Sequence, residues 1–351
     1  MPLRAGTMLR SSLLSSLLTL LLSPLLGPRA YAQPGPTAAR LQPAQLAVVI
    51  NDADPDSVAT GEYYRHARGI PAANMVHVSI PGKPARLDPA QFAALRATIN
   101  GQLSPAIQAV LMVWTAPYAV DCNGITAAFT LGYNAAQCVR TCAAGKPSPY
   151  FNAAVARPFT DLGMRLSMLL PVTSQQAARA LIDRGVASGF RIAPATAYYL
   201  HTSETARNAR TPLFPPPASN AALKLSTRTL KADVLEGASD IMVYQTGVAK
   251  VDKLASLGFL PGALADHLTS YGGDLLGTYQ MSSLRWLDAG ATASYGTVSE
   301  PCNHWQKFPH PTVLLKHYTA GVTAIEAYWR SVAWPAQGVF IGEPLAAPYG
   351  R

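Results

Sequence analysis

Short apolar segments alternate with helical segments along most of this chain, and this alternation limits the possible folds more than any other feature. The apolar segment Leu46–Asn51 precedes a helix capped by Asp56 or Ser57, and Asp88-Pro89 is typical of the cap and first turn of a second helix. Met75–Ile80 is a second apolar segment, and Ile107–Trp114 is typical of a strand buried on both faces. Strands separated by helices form βαβ units. We therefore predict an α/β fold whose mainly parallel sheet has about seven or eight strands flanked by helices.

Residues 116–160 interrupt this alternation. The segment contains three cysteines, many small residues and the stretch K-P-S-P-Y-F-N. Loops of about 45 residues are uncommon in compact domains unless disulfides or packing order them. We therefore expect a cysteine-containing loop insertion after the third strand, within a single α/β domain over residues 45–351.

The alternation returns after this insertion and continues to the end of the chain. The predicted strands are Met164–Leu170, Ala195–His201, Asp240–Gln245, Thr292–Val298 and Val339–Ile341. The predicted helices are Ser174–Ser188 and segments near Leu223–Leu235, Ser283–Asp288 and Val313–Ser331. These elements extend the same sheet, because they repeat the strand and helix pattern of the first hundred residues.

The amino terminus has the pattern of an export signal. Arg4 and Arg10 precede the apolar run Leu13–Leu26, and the small residues around Tyr31 fit cleavage after Ala32. The apolar run is shorter than the roughly 20 residues of a membrane-spanning helix. We predict a signal peptide over residues 1–32, an extended lead-in over 33–44, and a mature protein in the periplasm or outside the cell without a transmembrane anchor.

The charge pattern excludes one class of partner. The chain has 28 basic and 19 acidic residues, a formal net charge of +9. The basic residues are scattered and form no cluster interleaved with aromatic residues, as nucleic-acid binding would require. We therefore expect no nucleic-acid partner, whereas a mild attraction to an anionic envelope surface, or a protein partner, is compatible with the charge.

Four cysteines in an exported chain predict disulfide bonds. Cys122, Cys138 and Cys142 lie in the insertion, and Cys302 lies far along the chain. One bridge within the insertion and one long-range bridge to Cys302 is the most economical arrangement. Four cysteines allow three pairings, and the spacing leaves all three open.

The segment Cys302-Asn303-His304 follows a predicted strand and is the first candidate for chemistry. A cysteine nucleophile needs a base within hydrogen-bond distance, and residues two apart on an extended loop point away from each other. A disulfide is therefore the favoured role of Cys302. The cysteines and histidines lack the paired spacing of structural zinc sites, so we predict neither a metal nor a cofactor.

A second candidate for chemistry combines His267 with Ser270. A histidine beyond a strand end can act as a base, although a histidine on a helix over residues 262–269, bonded to backbone, is the simpler interpretation. The segment L-T-S-Y-G around Ser270 resembles half of a nucleophile elbow and lacks its first glycine. The resulting hypothesis is a hydrolase that uses His267 with Ser270 or Cys302.

Glu300 is a candidate of a different kind. It ends a predicted strand and is fixed by the following proline, so it either accepts backbone hydrogen bonds or faces a pocket. Ligands of open parallel sheets bind beyond the carboxyl ends of the strands. A pocket there is predicted to be lined by Glu300, His304, His310 and His267.

Several blocks of the mature chain resemble an uncharacterised family of exported bacterial proteins. The blocks are Val48–Met75, Phe259–Ser270, G-A-T-A-S-Y-G-T-V-S-E-P and I-G-E-P-L-A-A-P, and they occur in the same order. The resemblance covers nearly the whole mature chain and implies no established activity.

Residues 238–349 also resemble the caspase/gingipain-like fold. In gingipain-type domains one strand ends in His-Gly, a later strand ends in the catalytic cysteine, and a G-D-P segment closes the domain. Here Thr246-Gly247 stands in place of His-Gly, Gly342-Glu343-Pro344 resembles the ending, and Leu260–Gly273 contains no cysteine. The resemblance implies a caspase/gingipain-like second half without cysteine-peptidase chemistry.

Two functional hypotheses follow. In the first, the protein is a non-peptidase member of this fold that binds a ligand or an envelope partner at the carboxyl edge of the sheet. In the second, it is the hydrolase described above. The state of Cys302 and the surroundings of His267 distinguish the two.

Overall fold

The computed structural model describes residues 40–189 and 193–350. The predicted signal peptide and most of the lead-in lie outside the described residues. The strands are β1 (Leu46–Asn51), β2 (Met75–Val78), β3 (Arg86–Leu87), β4 (Ala109–Val113), β5 (Ala119–Val120), β6 (Asn123–Gly124), β7 (Leu166–Leu169), β8 (Ala195–His201), β9 (Ala218–Asn220), β10 (Leu225–Lys231), β11 (Ile241–Thr246), β12 (Phe259–His267), β13 (Ala293–Thr297) and β14 (Gly338–Gly342). The helices are α1 (Pro55–Arg68), α2 (Pro89–Gln102), α3 (Ile125–Leu131), α4 (Ala135–Val139), α5 (Pro158–Leu162), α6 (Gln175–Ala187), α7 (Leu284–Asp288), α8 (Pro311–Thr319) and α9 (Ala324–Ser331).

Eleven strands form one sheet in the order β2-β1-β4-β7-β14-β13-β12-β11-β8-β10-β9. The strands β2, β1, β4, β7 and β14 are mutually parallel and form the first half-sheet. The strands β13, β12, β11, β8 and β10 form the second half-sheet, also parallel, with β9 antiparallel at its outer edge. The two half-sheets meet where β13 pairs antiparallel with β14. The predicted α/β class with a mainly parallel sheet is confirmed, and the sheet is wider than predicted.

The helix boundaries follow local signals in the sequence. The Asp54 carboxylate accepts a hydrogen bond from the Asp56 amide, Pro55 occupies the first turn, and Gly69 ends α1 with φ of 63°. The predicted cap at Asp56 or Ser57 is therefore wrong by a few residues, because Ser57 Oγ bonds to the Val113 carbonyl instead. For α2 the prediction of a cap at Asp88 is confirmed.

The carboxyl end of β14 is fixed by a buried carboxylate. Glu343 Oε1 accepts hydrogen bonds from Tyr64 Oη at 2.7 Å and from the Leu345 amide at 3.2 Å. Arg68 completes the arrangement with a 2.5 Å ion pair to Glu343 Oε2. A buried charge is tolerated only when it is paired and hydrogen-bonded, as it is here. The Gly-Glu-Pro ending of the chain therefore ties β14 to α1.

Three predicted elements differ from the structure in type or number. The helix predicted over residues 262–269 is instead the second part of the strand β12, which ends at His267, because this segment is buried within the sheet. The predicted helix near Leu223–Leu235 is instead the strand β10, whose alternating threonines suit a strand. The predicted helix near Val313–Ser331 is two helices, because Gly321 lies between them with φ of +97°.

The predicted insertion 116–160 contains local structure. It includes α3, α4 and the start of α5, and its strands β5 and β6 form a small separate sheet with β3.

Within the described residues, no helix combines the length and the apolarity needed to cross a bilayer.

Candidate functional site

The candidate catalytic and pocket residues lie at or after the carboxyl ends of the strands β12 and β13. His267 is the last residue of β12 and Ser270 lies three residues later. Glu300 and His304 lie in the loop after β13, and His310 precedes α8. Parallel strands place their carboxyl ends at one edge, where ligands of open α/β sheets bind. The carboxyl edge of the second half-sheet is therefore the place to search for a site.

His267 is engaged on both ring nitrogens. Its Nδ1 accepts a hydrogen bond from the Trp286 indole N–H at 2.9 Å, so Nε2 carries the proton and donates to the Met281 carbonyl at 3.1 Å. Burial lowers the pKa of His267 to about 3, and the nearby positive charges of Arg210 and Arg207 lower it as well. His267 is neutral at physiological pH and fixes the loop after β12, so it does not have the free nitrogen of a general base.

One candidate nucleophile is in a disulfide bridge and the other is buried. Cys302 is bonded to Cys142, and Cys122 is bonded to Cys138, so all four cysteines lie in bridges. Ser270 is only 7% exposed. Because a bridged cysteine has no thiolate, this arrangement does not support nucleophilic catalysis by Cys302.

Glu300 stabilises its own loop. Its Oε1 accepts a hydrogen bond from the Cys302 amide at 2.8 Å, and its carbonyl accepts one from Gln337 Nε2 at 2.8 Å. Nearby, burial lowers the pKa of Lys307 to about 8, with Glu300 acting in the opposite direction. The Lys307 ammonium donates to the Thr141 carbonyl at 2.6 Å. The Glu300 carboxylate therefore accepts a backbone hydrogen bond from its own loop.

His304 and His310 also contact backbone. His304 Nε2 donates to the Cys142 carbonyl at 3.0 Å, and His310 Nδ1 accepts from the Val313 amide at 3.4 Å, which caps α8. Burial lowers the pKa of His310. Five cavities in the described part of the chain have volumes between about 210 and 610 Å³. None of these five is lined by the four residues of the predicted pocket.

A different cleft lies at the same carboxyl edge, and sequence reasoning missed it. This edge cleft has a volume of about 320 Å³. It lies between the loop after β11 and the loop that joins β12 to α7. Its lining residues are Ala249, Lys250, Gly277, Thr278, Tyr279, Gln280, Met281, Ser282 and Arg285.

Hydrogen bonds hold the loop between β12 and α7 in place. The Met281 amide donates to the Ala249 carbonyl at 3.0 Å, while the Met281 carbonyl accepts from His267. The Gln280 side-chain oxygen accepts from Thr269 Oγ1 and from the Tyr271 amide, both at 2.8 Å. A loop with this many internal contacts presents its exposed side chains at low entropic cost.

The second wall of the cleft begins at the end of β11. The Ala249 amide donates to Glu204 Oε1 at 3.2 Å, and Glu204 pairs with Arg207 at 2.5 Å. Gly247 lies so close to this segment that a Cβ there would approach the Arg207 carbonyl oxygen to 2.1 Å. The glycine of the Thr246-Gly247 segment is therefore required by close backbone contact.

The rim of the cleft combines aromatic and positive side chains. Tyr279 is 82% exposed, and its ring contacts that of Tyr271 at 5.9 Å and 75°. Lys250 and Arg285 are the charged lining residues, and both are largely exposed. Their acidic partners, at 3.7 and 3.3 Å, lie outside the lining. The cleft therefore presents positive charge beside an exposed aromatic ring, a combination that suits an anionic group.

A buried ion pair between Arg210 and Asp266 stabilises this edge of the sheet. Arg210 binds the Asp266 carboxylate and donates to the Thr246 carbonyl at 2.8 Å and the Pro309 carbonyl at 3.2 Å. Gln245 Nε2 donates to the other carboxylate oxygen of Asp266 at 2.8 Å. Burial raises the pKa of Asp266, and Arg210 opposes the rise. These bonds join the ends of β11 and β12 to the segment before α8.

Comparison with known proteins identifies two similar solved structures. No protein-family model matches the chain, and no curated protein matches it. The crystal structure of the Arg-specific cysteine proteinase gingipain R (RGPB) matches over 89% of this chain and 80% of that chain, with 9% identity and a TM-score of 0.43. A complex of Porphyromonas gingivalis RgpB pro- and mature domains matches over 86% and 79%, with 10% identity and a TM-score of 0.36.

Proposed function

We propose that this protein is an exported binding protein that holds an anionic ligand or envelope partner in the edge cleft. The observation that carries the proposal is the pair of cations Lys250 and Arg285 in a cleft without lining carboxylates. The nearby ring of Tyr279 adds an exposed apolar surface of the kind that protein-binding sites use. Complementary charge steers such a partner toward the cleft.

The state of the candidate catalytic groups favours binding over hydrolysis. His267 is buried and bonded at both ring nitrogens, and Cys302 is in a bridge. Both groups therefore contribute to the stability of the carboxyl edge. A serine-reactive fluorophosphonate probe that labelled Ser270 would instead support the hydrolase hypothesis.

Export is part of this proposal. Disulfides persist in oxidising compartments, and the structure contains two of them. The sequence pattern predicts a signal peptide with cleavage after Ala32. We place the mature protein in the periplasm or outside the cell on these two grounds.

A fluorescein-labelled peptide of alternating glutamate and leucine tests the cleft by fluorescence anisotropy. Lys250→Ala and Arg285→Ala should each weaken binding about three- to fivefold, since exposed ion pairs contribute modestly. Lys253→Ala and Arg157→Ala are matched controls, because both are exposed, weakly paired cations outside the cleft. They should leave the affinity unchanged.

Two results would overturn the proposal. Either the acidic peptide fails to bind even at low salt, or the control variants weaken binding as much as the cleft variants. A peptide of alternating lysine and leucine should not bind, because the cleft would repel it. Raising the salt concentration should weaken the binding of the acidic peptide, since exposed charges are screened.

A further inference from the structure

Five aromatic side chains outside the edge cleft form two groups of contacting rings, which together we call the aromatic strip. The strip consists of Phe151, His304, Trp305, His310 and Trp334, and all five side chains are half-buried. Trp305 contacts His310 at 5.4 Å and Phe151 at 6.4 Å, and His304 contacts Trp334 at 5.8 Å. We propose that this aromatic strip binds a neutral polysaccharide.

The angles between the rings favour stacking of a sugar. The contacts within the strip have interplanar angles of 46°, 50°, 60° and 90°, so no pair lies parallel. In the core, by contrast, Trp329 stacks on Phe340 at 4.3 Å and 20°. A tilted contact leaves more of each ring face uncovered than a parallel stack does. The electron-rich face of an indole or phenyl ring packs against the C–H face of a pyranose.

The strip is held in a fixed arrangement. The Trp334 amide donates to the Gln306 carbonyl at 2.7 Å, and the His310 amide donates to the Ser331 carbonyl at 2.8 Å. His304 bonds to the Cys142 carbonyl, next to the bridge between Cys142 and Cys302. Rings fixed in this way lose little conformational entropy when a ligand binds.

The polar groups beside the strip suit hydroxyl groups better than charges. Asn152, Asn303 and Gln306 carry amides, which both donate and accept hydrogen bonds. Lys307 is buried and bonded to backbone, and the exposed Lys316 donates to Asn152 Oδ1 at 3.1 Å. A neutral saccharide therefore fits this surface, whereas the cation-lined edge cleft fits an anionic group.

Native affinity electrophoresis tests the strip on the full mature protein. The gels contain hydroxyethylcellulose, arabinoxylan, glucomannan or dextran. At least one polymer should retard the wild-type protein, and Trp305→Ala and Trp334→Ala should each weaken that retardation about tenfold. Tyr279→Ala removes an exposed ring outside the strip and should leave retardation unchanged. Thermal unfolding of each variant verifies that it is folded.

Three outcomes would overturn the inference. The first is a wild-type protein that no polymer retards. The second is equal retardation of the wild type and the two tryptophan variants. The third is concentration-dependent self-association of the wild type in size-exclusion chromatography that Trp305→Ala abolishes, which would make the strip a protein interface. None of these outcomes depends on binding in the edge cleft.

Discussion

Replacing Arg210 with methionine should destabilise the fold strongly, because it leaves a carboxylate buried without its counter-ion. The Arg210 and Asp266 side chains are 2% and 1% exposed. Methionine keeps the apolar stem of the side chain and removes the three contacts of the guanidinium. Breaking a buried pair on one side costs about 3–5 kcal/mol, so the free energy of unfolding at pH 7 should fall by that amount.

The loss should depend on pH in a defined direction. Burial already raises the pKa of Asp266, and removing the opposing charge of Arg210 raises it further. A carboxyl group whose pKa is raised in the folded state stabilises that state below its unfolded pKa. That contribution is lost as the pH rises through the folded pKa. The destabilisation caused by Arg210→Met should therefore be largest near pH 7 and become smaller as the pH falls.

Urea unfolding followed by far-UV circular dichroism at pH 7 and pH 5 measures both effects. Arg228→Met is the control, because Arg228 is exposed on β10, and it should change stability by less than about 0.5 kcal/mol. The double variant Arg210→Met with Asp266→Leu should recover much of the loss, since no buried charge remains. A loss below about 1 kcal/mol for Arg210→Met, or a loss that is the same at both pH values, would refute this reasoning.

Two further predictions concern the residues beneath the cleft. Gly247→Ala should destabilise the protein by about 1–3 kcal/mol in urea unfolding, because its Cβ would overlap a carbonyl oxygen, whereas Gly101→Ala, with no atom within 4 Å of the added Cβ, should be nearly neutral. Equal effects of the two substitutions would contradict the close approach at Gly247. His267 has a folded pKa of about 3 and an unfolded value of 6.5, so the stability it contributes is present above pH 6.5 and is lost as the pH falls toward 3. His267→Gln should reduce the loss of stability between pH 7 and pH 4, and an unchanged loss would show that His267 is already charged in the folded protein.

The sequence predicted the first half of the fold in detail because its local signals agree with the tertiary structure. The predicted strand Leu46–Asn51 has the same bounds as β1, and the cap at Asp88 begins α2. Continuous apolar runs and proline after an acidic cap each favour one structure. The strand Ala195–His201 was predicted for the same reason and matches β8.

The second half of the sheet was harder to predict because local propensity and tertiary context disagree there. The segment Ala263–His267 is rich in helix-forming residues, yet it is the buried end of β12. Burial between two neighbouring strands overrides the weak preference of alanine and leucine for helix. The antiparallel joint between β13 and β14 has no local signal in the sequence, because it depends on which strands meet after folding.

For the candidate site, the sequence predicted a region of the sheet and did not predict the residues that line the edge cleft. The sequence indicated the carboxyl edge as the region of interest through reactive residue types such as His267 and Cys302. The structure uses both for stability. The length of the segment Leu268–Ser283 was the signal for the edge cleft, since long ordered loops are often functional. The exposed residues of the edge cleft, which include Lys250 and Tyr279, belong to no catalytic motif, so no sequence pattern marks them.

The five tryptophans of the chain fall into two spectroscopic classes, according to whether they are buried in the core or belong to the aromatic strip. Trp114, Trp286 and Trp329 are at most 1% exposed, whereas Trp305 and Trp334 are half-buried. Buried indoles emit at shorter wavelengths than indoles in contact with water, so the emission band has a blue component and a red component. Both red emitters belong to the strip. Quenching by iodide would therefore report on this surface alone, without any attached label.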